Sequence, residues 1–330
     1  MKPAAVASAT HVPANPPDRF TVYDRAFRDV LGDNVRVIRV AETAAHEGPV
    51  YVAVDDALYF TAPSGSRRAT IVCLNLDGDP ADLDPDRLSV VASSVENPNG
   101  MTLAHDGALL VCDQGTRSGP ARIARVDRCT GATETIVDGW HGLRLNSPND
   151  VVVRRDGTIW FSDPSYGHLQ GFRPEPEVGD YVYRYEPAAG RLTVVADSFD
   201  KPNGLAFSPD ERVLYITDSG ANQRAGSYHV GRPHHIKAFD VTSGRHLAGE
   251  RLFAVTTPGF PDGLKVDSDG RVYASSTAGV QVFEPSGDLI GQINLPGTVN
   301  FTFGGVDGNV LYVTTDDAIW AVSLNARGMR

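Results

Sequence analysis

Five residues of this chain are of types that could act together at one point: Glu47, Asn99, Asn149, Asn203 and Asp262. Each opens a similar stretch, as in Pro98-Asn99-Gly100, Pro148-Asn149-Asp150, Pro202-Asn203-Gly204, Pro261-Asp262-Gly263 and, more weakly, Glu47-Gly48-Pro49. As a set they offer only oxygen, from two carboxylates and up to three amides. Hard oxygen donors without Cys or His select Ca²⁺ or Mg²⁺ over Zn²⁺, and two negative charges balance a divalent ion. A plain turn accounts for the asparagines, since Pro, Asn and Gly all favour turns. It does not account for two acids in register with them, because unpaired carboxylates brought together repel.

The elements that must bring these residues together are repeats. After Asn149 come a β-rich run (Val151 to Val153), an Asp-Gly turn at 156–157 and a second run (Thr158 to Ser162). Asp-Gly between two such runs is a hairpin signal, because Gly tolerates the positive φ of a tight turn. Similar hairpins follow residues 47, 99, 203 and 262, and a sixth opens near 304 at Phe303-Gly304-Gly305, giving spacings of 52, 50, 54, 59 and about 42 residues. Four short strands per unit of this length predict an all-β, six-bladed β-propeller. The innermost strand of every blade runs along the central axis, so residues at one repeat position converge there. Outer strand pairs are legible too, as in Ala69 to Leu74 with Leu88 to Val91, Tyr181 to Tyr185 with Leu192 to Val195, and Ile236 to Phe239 with Arg251 to Phe253. The alternation of Val35 to Val40 marks a strand, and the segment from Phe20 to Val40 is expected to close the ring by completing the last blade. No capped stretch has a helical period. Two long connections, Tyr166 to Asp180 and Ser219 to Pro233, would rim one face, where functional loops belong.

Composition narrows the function. With 41% hydrophobic and 22% charged residues this is an ordinary globular chain, and a formal charge of −11 excludes a nucleic-acid partner, which needs a basic surface. No apolar run is long enough to cross a bilayer, so no membrane partner is expected. Residues 1–19, rich in Ala and Pro without a signal-like apolar core, read as a disordered tail, and 20–330 as one propeller. Cys73, Cys112 and Cys129 form no Cys-x-x-Cys pair and read as free thiols, which implies a cytoplasmic setting. Cys112 falls within a strand and reads as a small buried hydrophobe.

Asn146-Ser147-Pro148-Asn149-Asp150 and Phe161-Ser162-Asp163-Pro164-Ser165-Tyr166-Gly167, followed by Pro202-Asn203-Gly204 and Pro261-Asp262-Gly263, resemble the gluconolactonase branch of the senescence-marker-protein/gluconolactonase/luciferin-regenerating family. Glu47-Gly48-Pro49 is similar to that family's opening glutamate, and the resemblance covers residues of about 40 to 320. It implies six blades with one divalent cation in the central channel, held at Glu47, Asn149, Asn203 and Asp262. Ca²⁺ is the first choice, with Mg²⁺, Mn²⁺ or Zn²⁺ as alternatives. It also implies hydrolysis of a lactone, sugar lactones being the substrates of many members. One position departs from the animal members that act on sugar lactones: they carry an arginine two residues before the place of Asn149, where this chain has Ser147, with Arg144 nearby.

The chemistry that fits is metal-assisted ester hydrolysis, the cation polarising a lactone carbonyl as a Lewis acid. Asp262 would be the catalytic group, as general base toward water or as nucleophile. Asn99 and Asn149 would face the substrate. His46 and His141 are candidate proton carriers beside it, and Tyr166 a candidate contact from the first long loop. Asp113, Asp163 and Asp218 recur at the ends of second strands, which favours turn-capping over catalysis. Two other classes stay open: a phosphotriesterase- or aryl-esterase-like hydrolase, and a non-catalytic, metal-stabilised propeller that binds a small molecule or a protein partner.

Overall fold

The hairpins read from the sequence form the inner halves of six antiparallel sheets in a computed structural model that describes residues 19–64, 68–79, 83–224 and 226–329. The expectation of a disordered tail over residues 1–19 falls, apart from Arg19, outside the described residues. In blades I to IV the strands follow chain order from the axis outward, and in blades V and VI they do so up to an outermost N-terminal strand. Blade I holds Glu47–Val52, Ala57–Pro63, Ala69–Asn75 and Leu88–Val90, and blade II Pro98–Leu103, Leu109–Asp113, Arg122–Val126 and Thr133–Val137. Blade III holds Val151–Val153, Ile159–Asp163, Tyr181–Glu186 and Arg191–Ala196, and blade IV Pro202–Phe207, Val213–Asp218, His235–Thr242 and His246–Val255. Blade V is built from Leu264–Val266, Val272–Ser276, Gly279–Phe283 and Leu289–Ile293, and blade VI from Thr298–Gly304, Val310–Thr315 and Ala318–Ser323.

The ring closes with N-terminal strand material, as expected. Arg36–Glu42 pairs antiparallel with Ala318–Ser323 and becomes the outer strand of blade VI. The segment just before it does a second job that the sequence did not suggest. Phe20–Val22 pairs with Leu289–Ile293 as a fifth strand of blade V, and the short helix Ala26–Leu31 buries Phe27 and Val30 between blades V and VI. No helix among the described residues is long and apolar enough to cross a membrane.

The sixth repeat opens earlier than the sequence reading placed it. Its inner strand starts at Thr298 and ends at Gly304, so Gly304-Gly305 marks the hairpin turn and not the opening. Gly305, at φ +78°, is in the left-handed region that such a turn needs.

Cohesion comes from six apolar clusters, one at each blade-to-blade interface. Val50, Tyr59 and Ile71 of blade I meet Met101, Leu109 and Val111 of blade II, while Leu110, Cys112 and Ile123 turn the other way against Val151, Phe161 and Tyr183 of blade III. A strand sandwiched between two neighbours therefore reads as a continuous apolar run, because successive side chains point to opposite faces and both are buried. The closing interface joins Val40, Tyr312, Ile319 and Ala321 to Leu58, Phe60 and Leu74 of blade I.

Val40 is 1% exposed at this closing interface. Val40→Asp would place an unpaired carboxylate there, and the expected loss is about 3 kcal/mol or more, read as a fall in the urea midpoint. An unchanged midpoint would show that the ring does not depend on this strand.

Candidate functional site

The residue that opens each inner strand is held by the blade beside it. Gly100 N donates to Asn149 O at 2.8 Å, Gly204 N to Asp262 O at 3.2 Å and Gly263 N to Val299 O at 3.0 Å. Hydroxyls add to the belt, since Ser162 Oγ donates to Asn203 O at 2.7 Å and Thr217 Oγ1 to Asp262 O at 3.1 Å. This close approach explains the glycine after the site residue. A Cβ on Gly100 would lie 2.3 Å from Asn149 O, and one on Gly204 would lie 2.3 Å from Asp262 O. In the third copy the glycine is replaced by Asp150, whose Oδ1 accepts from Val151 N at 2.9 Å. Burial pushes the Asp150 carboxyl up to about 6, with Lys265 pulling the other way.

A second device sets the approach to each site residue. Asp163 accepts from Asn146 N at 2.9 Å and Ser147 N at 2.8 Å, and so fixes the backbone leading to Asn149. Asp218 does the same for Asp200 N and Lys201 N before Asn203, each at 2.9 Å, and Asp113 for Asn97 N at 3.0 Å before Asn99. These three aspartates are structural caps. Burial pushes the Asp163 carboxyl up to about 7, opposed by the two backbone donors it accepts.

The result is a channel mouth of ≈ 360 Å³ whose lining includes Glu47, Asn99, Asn149, Asn203 and Asp262. Glu47 is 2% exposed, and its Oε2 accepts from Gly48 N at 2.9 Å and from Asn300 Nδ2 at 2.6 Å. Asn300 is thus the sixth member of the ring, and sequence reasoning missed it. Its signal was weak, because Val299-Asn300-Phe301 has neither a proline before nor a glycine after, whereas every other copy has at least one of them. Asp262 is partly open to the cavity. Its carboxyl is pushed well above the usual carboxylate range by desolvation and by the facing Glu47, while a hydrogen bond from Asn203 pulls it down.

Three buried oxygens at this site, Glu47 Oε1, Asn99 Oδ1 and Asn149 Oδ1, have no hydrogen-bond partner. Buried acceptors without donors are rare in native proteins. A hard cation is the group that would satisfy such oxygens together with the facing carboxyl of Asp262. Among the described residues no three His, Cys, Asp or Glu cluster for a metal, so the amides are what make the donor set.

The remaining sequence candidates divide. His46 lines the cavity from an exposed position, and Tyr166 lines it with its hydroxyl donating to Ser219 O at 3.2 Å, which ties the two long loops together. His141 is not among the lining residues. It sits at the exposed tip of the ribbon Gly139–Trp140 and Leu143–Arg144, packed edge-on against Trp140. Ser147 is fully buried, its Oγ donating to Pro164 O at 2.6 Å and accepting from Gly167 N at 2.9 Å, so it faces protein and not the cavity. Arg173, which no sequence signal singled out, is 4% exposed and donates to the carbonyls of Thr116, Gly119, Leu145 and Asn146. It pins the first long loop, whose Gln170 and Phe172 also line the cavity.

A six-bladed propeller with a ring of oxygen donors at its channel mouth is the class that fold and site define. Residues 45–317 match the model of the SMP-30/Gluconolactonase/LRE-like region, and the chain belongs to that family. It is 28% identical to the lactonohydrolase oryL of Aspergillus oryzae over 92% of this chain and 72% of that protein. It is 35% identical to a gluconolactonase of Zymomonas mobilis over 59% of this chain and 54% of that protein. Among solved structures, a gluconolactonase of Xanthomonas campestris superposes with a TM-score of 0.79 at 33% identity, covering 98% of this chain and 99% of the other.

Gly204→Ala tests the backbone belt. The added carbon meets a backbone carbonyl, which cannot swing aside, so a loss of about 1–3 kcal/mol in the stability measured by chemical denaturation is expected. No change would mean that the blades are free to move apart at this point.

Proposed function

We propose that this protein is a divalent-metal-dependent lactonase working at the channel mouth. One observation carries the metal: the buried, partnerless oxygens of Glu47, Asn99 and Asn149 belong to residues lining one cavity, with the carboxyl of Asp262 facing Glu47. Kinship with proteins named lactonohydrolase and gluconolactonase supports the lactone. Glu47, Asn149, Asn203 and Asp262 would hold one cation, with Ca²⁺ favoured by an all-oxygen set. When bound, the cation supplies Lewis-acid polarisation of the ester carbonyl and countercharge for the two acids.

The chain's own residues then have separate tasks. Asp262, open to the cavity, takes a proton from the attacking water as that water's oxygen bonds to the carbonyl carbon. The ring C–O bond breaks, and the leaving alkoxide recovers a proton, giving a hydroxy acid. Asn99, which lines the same cavity, would contact the bound substrate. Phe172 and Tyr166 cover one side of the cavity and limit bulk water.

Two measurements test this. Chelation should lower the melting temperature, and added Ca²⁺ should restore it, since a ligand at 100 times its Kd stabilises by about 2.7 kcal/mol. An unchanged melting temperature together with no metal in elemental analysis would remove the site. Asp262→Asn at saturating metal should lose about 10²–10⁴ in kcat, the usual worth of a general base, while keeping a metal-dependent melting shift. Full recovery of kcat at high metal would make Asp262 a ligand only.

A further inference from the structure

The cavity is divided. Its floor carries acceptors, whereas one wall carries donors with nothing to donate to. Among the described lining residues Arg68 is the sole Lys or Arg. It is exposed to the cavity mouth, and its guanidinium makes no ion pair or hydrogen bond with any described residue, unlike the fully engaged Arg173.

The backbone that carries Arg68 is fixed. The next residue, Ala69, donates its N–H to Asn97 Oδ1 at 3.0 Å; Asn97 Nδ2 donates to Gln114 Oε1 at 3.4 Å, and Gln114 N returns to Asn97 O at 2.9 Å. Asn97 and Gln114 are 6% and 9% exposed, and both line the cavity. Gln114 has its Oε1 occupied as an acceptor, which leaves its amide N–H groups without a protein partner among the described residues. A guanidinium and an amide donor therefore share one wall. With the two floor carboxylates balanced by a dication, Arg68 is the surplus charge in the cavity, on a protein whose formal net charge is −11.

We propose that Arg68, with Gln114 beside it, is the specificity-determining wall of the site and selects lactones that bear an anionic substituent, a carboxylate or a phosphate. This rests on the lactonase reading above. The ester end of the substrate would lie on the oxygen-donor floor and the anionic end against the guanidinium, whose planar fork suits either oxyanion. Ser147, buried under the first long loop, cannot supply that contact.

The test uses matched lactones: gluconic acid lactone against glucaric acid lactone of the same ring size, and gluconolactone against its terminally phosphorylated form. The expected result is that the wild type has the higher kcat/KM for the anionic member of at least one pair. Arg68→Gln should lower that preference roughly tenfold, mainly through KM, as expected for one charge-assisted hydrogen bond. Kinetics on the neutral lactones and the Ca²⁺-dependent melting shift should stay unchanged, and Arg68→Lys should restore part of the preference. Which pair responds identifies carboxylate or phosphate. An unchanged ratio in Arg68→Gln for both pairs, or a wild-type preference for the neutral members, would overturn the proposal. If the wild type opens none of these lactones, the lactonase reading fails. Calorimetric binding of glucarate and phosphogluconate, against gluconate, then decides Arg68 alone: anion binding that Arg68→Gln abolishes supports it, and equal binding overturns it.

Discussion

Two carboxylates from opposite parts of the chain, Glu47 of blade I and Asp262 ahead of the inner strand of blade V, are held facing each other where neither can be fully hydrated. Left alone this arrangement is unfavourable, and the raised proton affinity of Asp262 registers the cost. Asn300 donates to Glu47 and Asn203 to Asp262, yet the amide oxygens of Asn99 and Asn149, residues that line the same cavity, are left without a partner. A ring of acceptors around two acids makes physical sense when a cation is the missing partner. Much of the local structure serves to hold those oxygens in place.

That holding is done by backbone, not by side-chain packing at the site. The inner strands touch through glycines, and the carbonyls of Asn149, Asn203 and Asp262 accept hydrogen bonds from the adjacent blade. Behind Asn99, Asn149 and Asn203 an aspartate cap fixes the preceding turn. The six interfacial clusters supply cohesion at larger radius and leave the axis free for polar groups. The loops are fixed in turn: Arg173 locks the first against four carbonyls, and Tyr166 links it to the second.

Most of this was legible in the sequence where a repeat carried it. The five site residues read from the copies that open at 47, 99, 149, 203 and 262 do converge, because a period near 50 residues brings equivalent positions to one axis. The sixth copy misled, since its Gly-Gly is a turn and its ring member, Asn300, lacks both flanking signals. His141 has only its residue type to suggest a proton carrier, and a short ribbon carries it to an exposed tip. Arg173 and Arg68 were not legible. A buried arginine that caps carbonyls and a free arginine on a cavity wall look alike in sequence, and only the contacts around them tell the two apart.

The central claim is that the ring is a cation site built on Glu47. Calorimetric titration of Ca²⁺ into chelator-treated protein tests it most directly, with Glu47→Gln run alongside. One ion should bind per chain, and binding should weaken at least tenfold in the variant, because an anionic ligand is lost while the amide keeps the Asn300 contact. No binding by the wild type, or equal affinity in the two proteins, would contradict it.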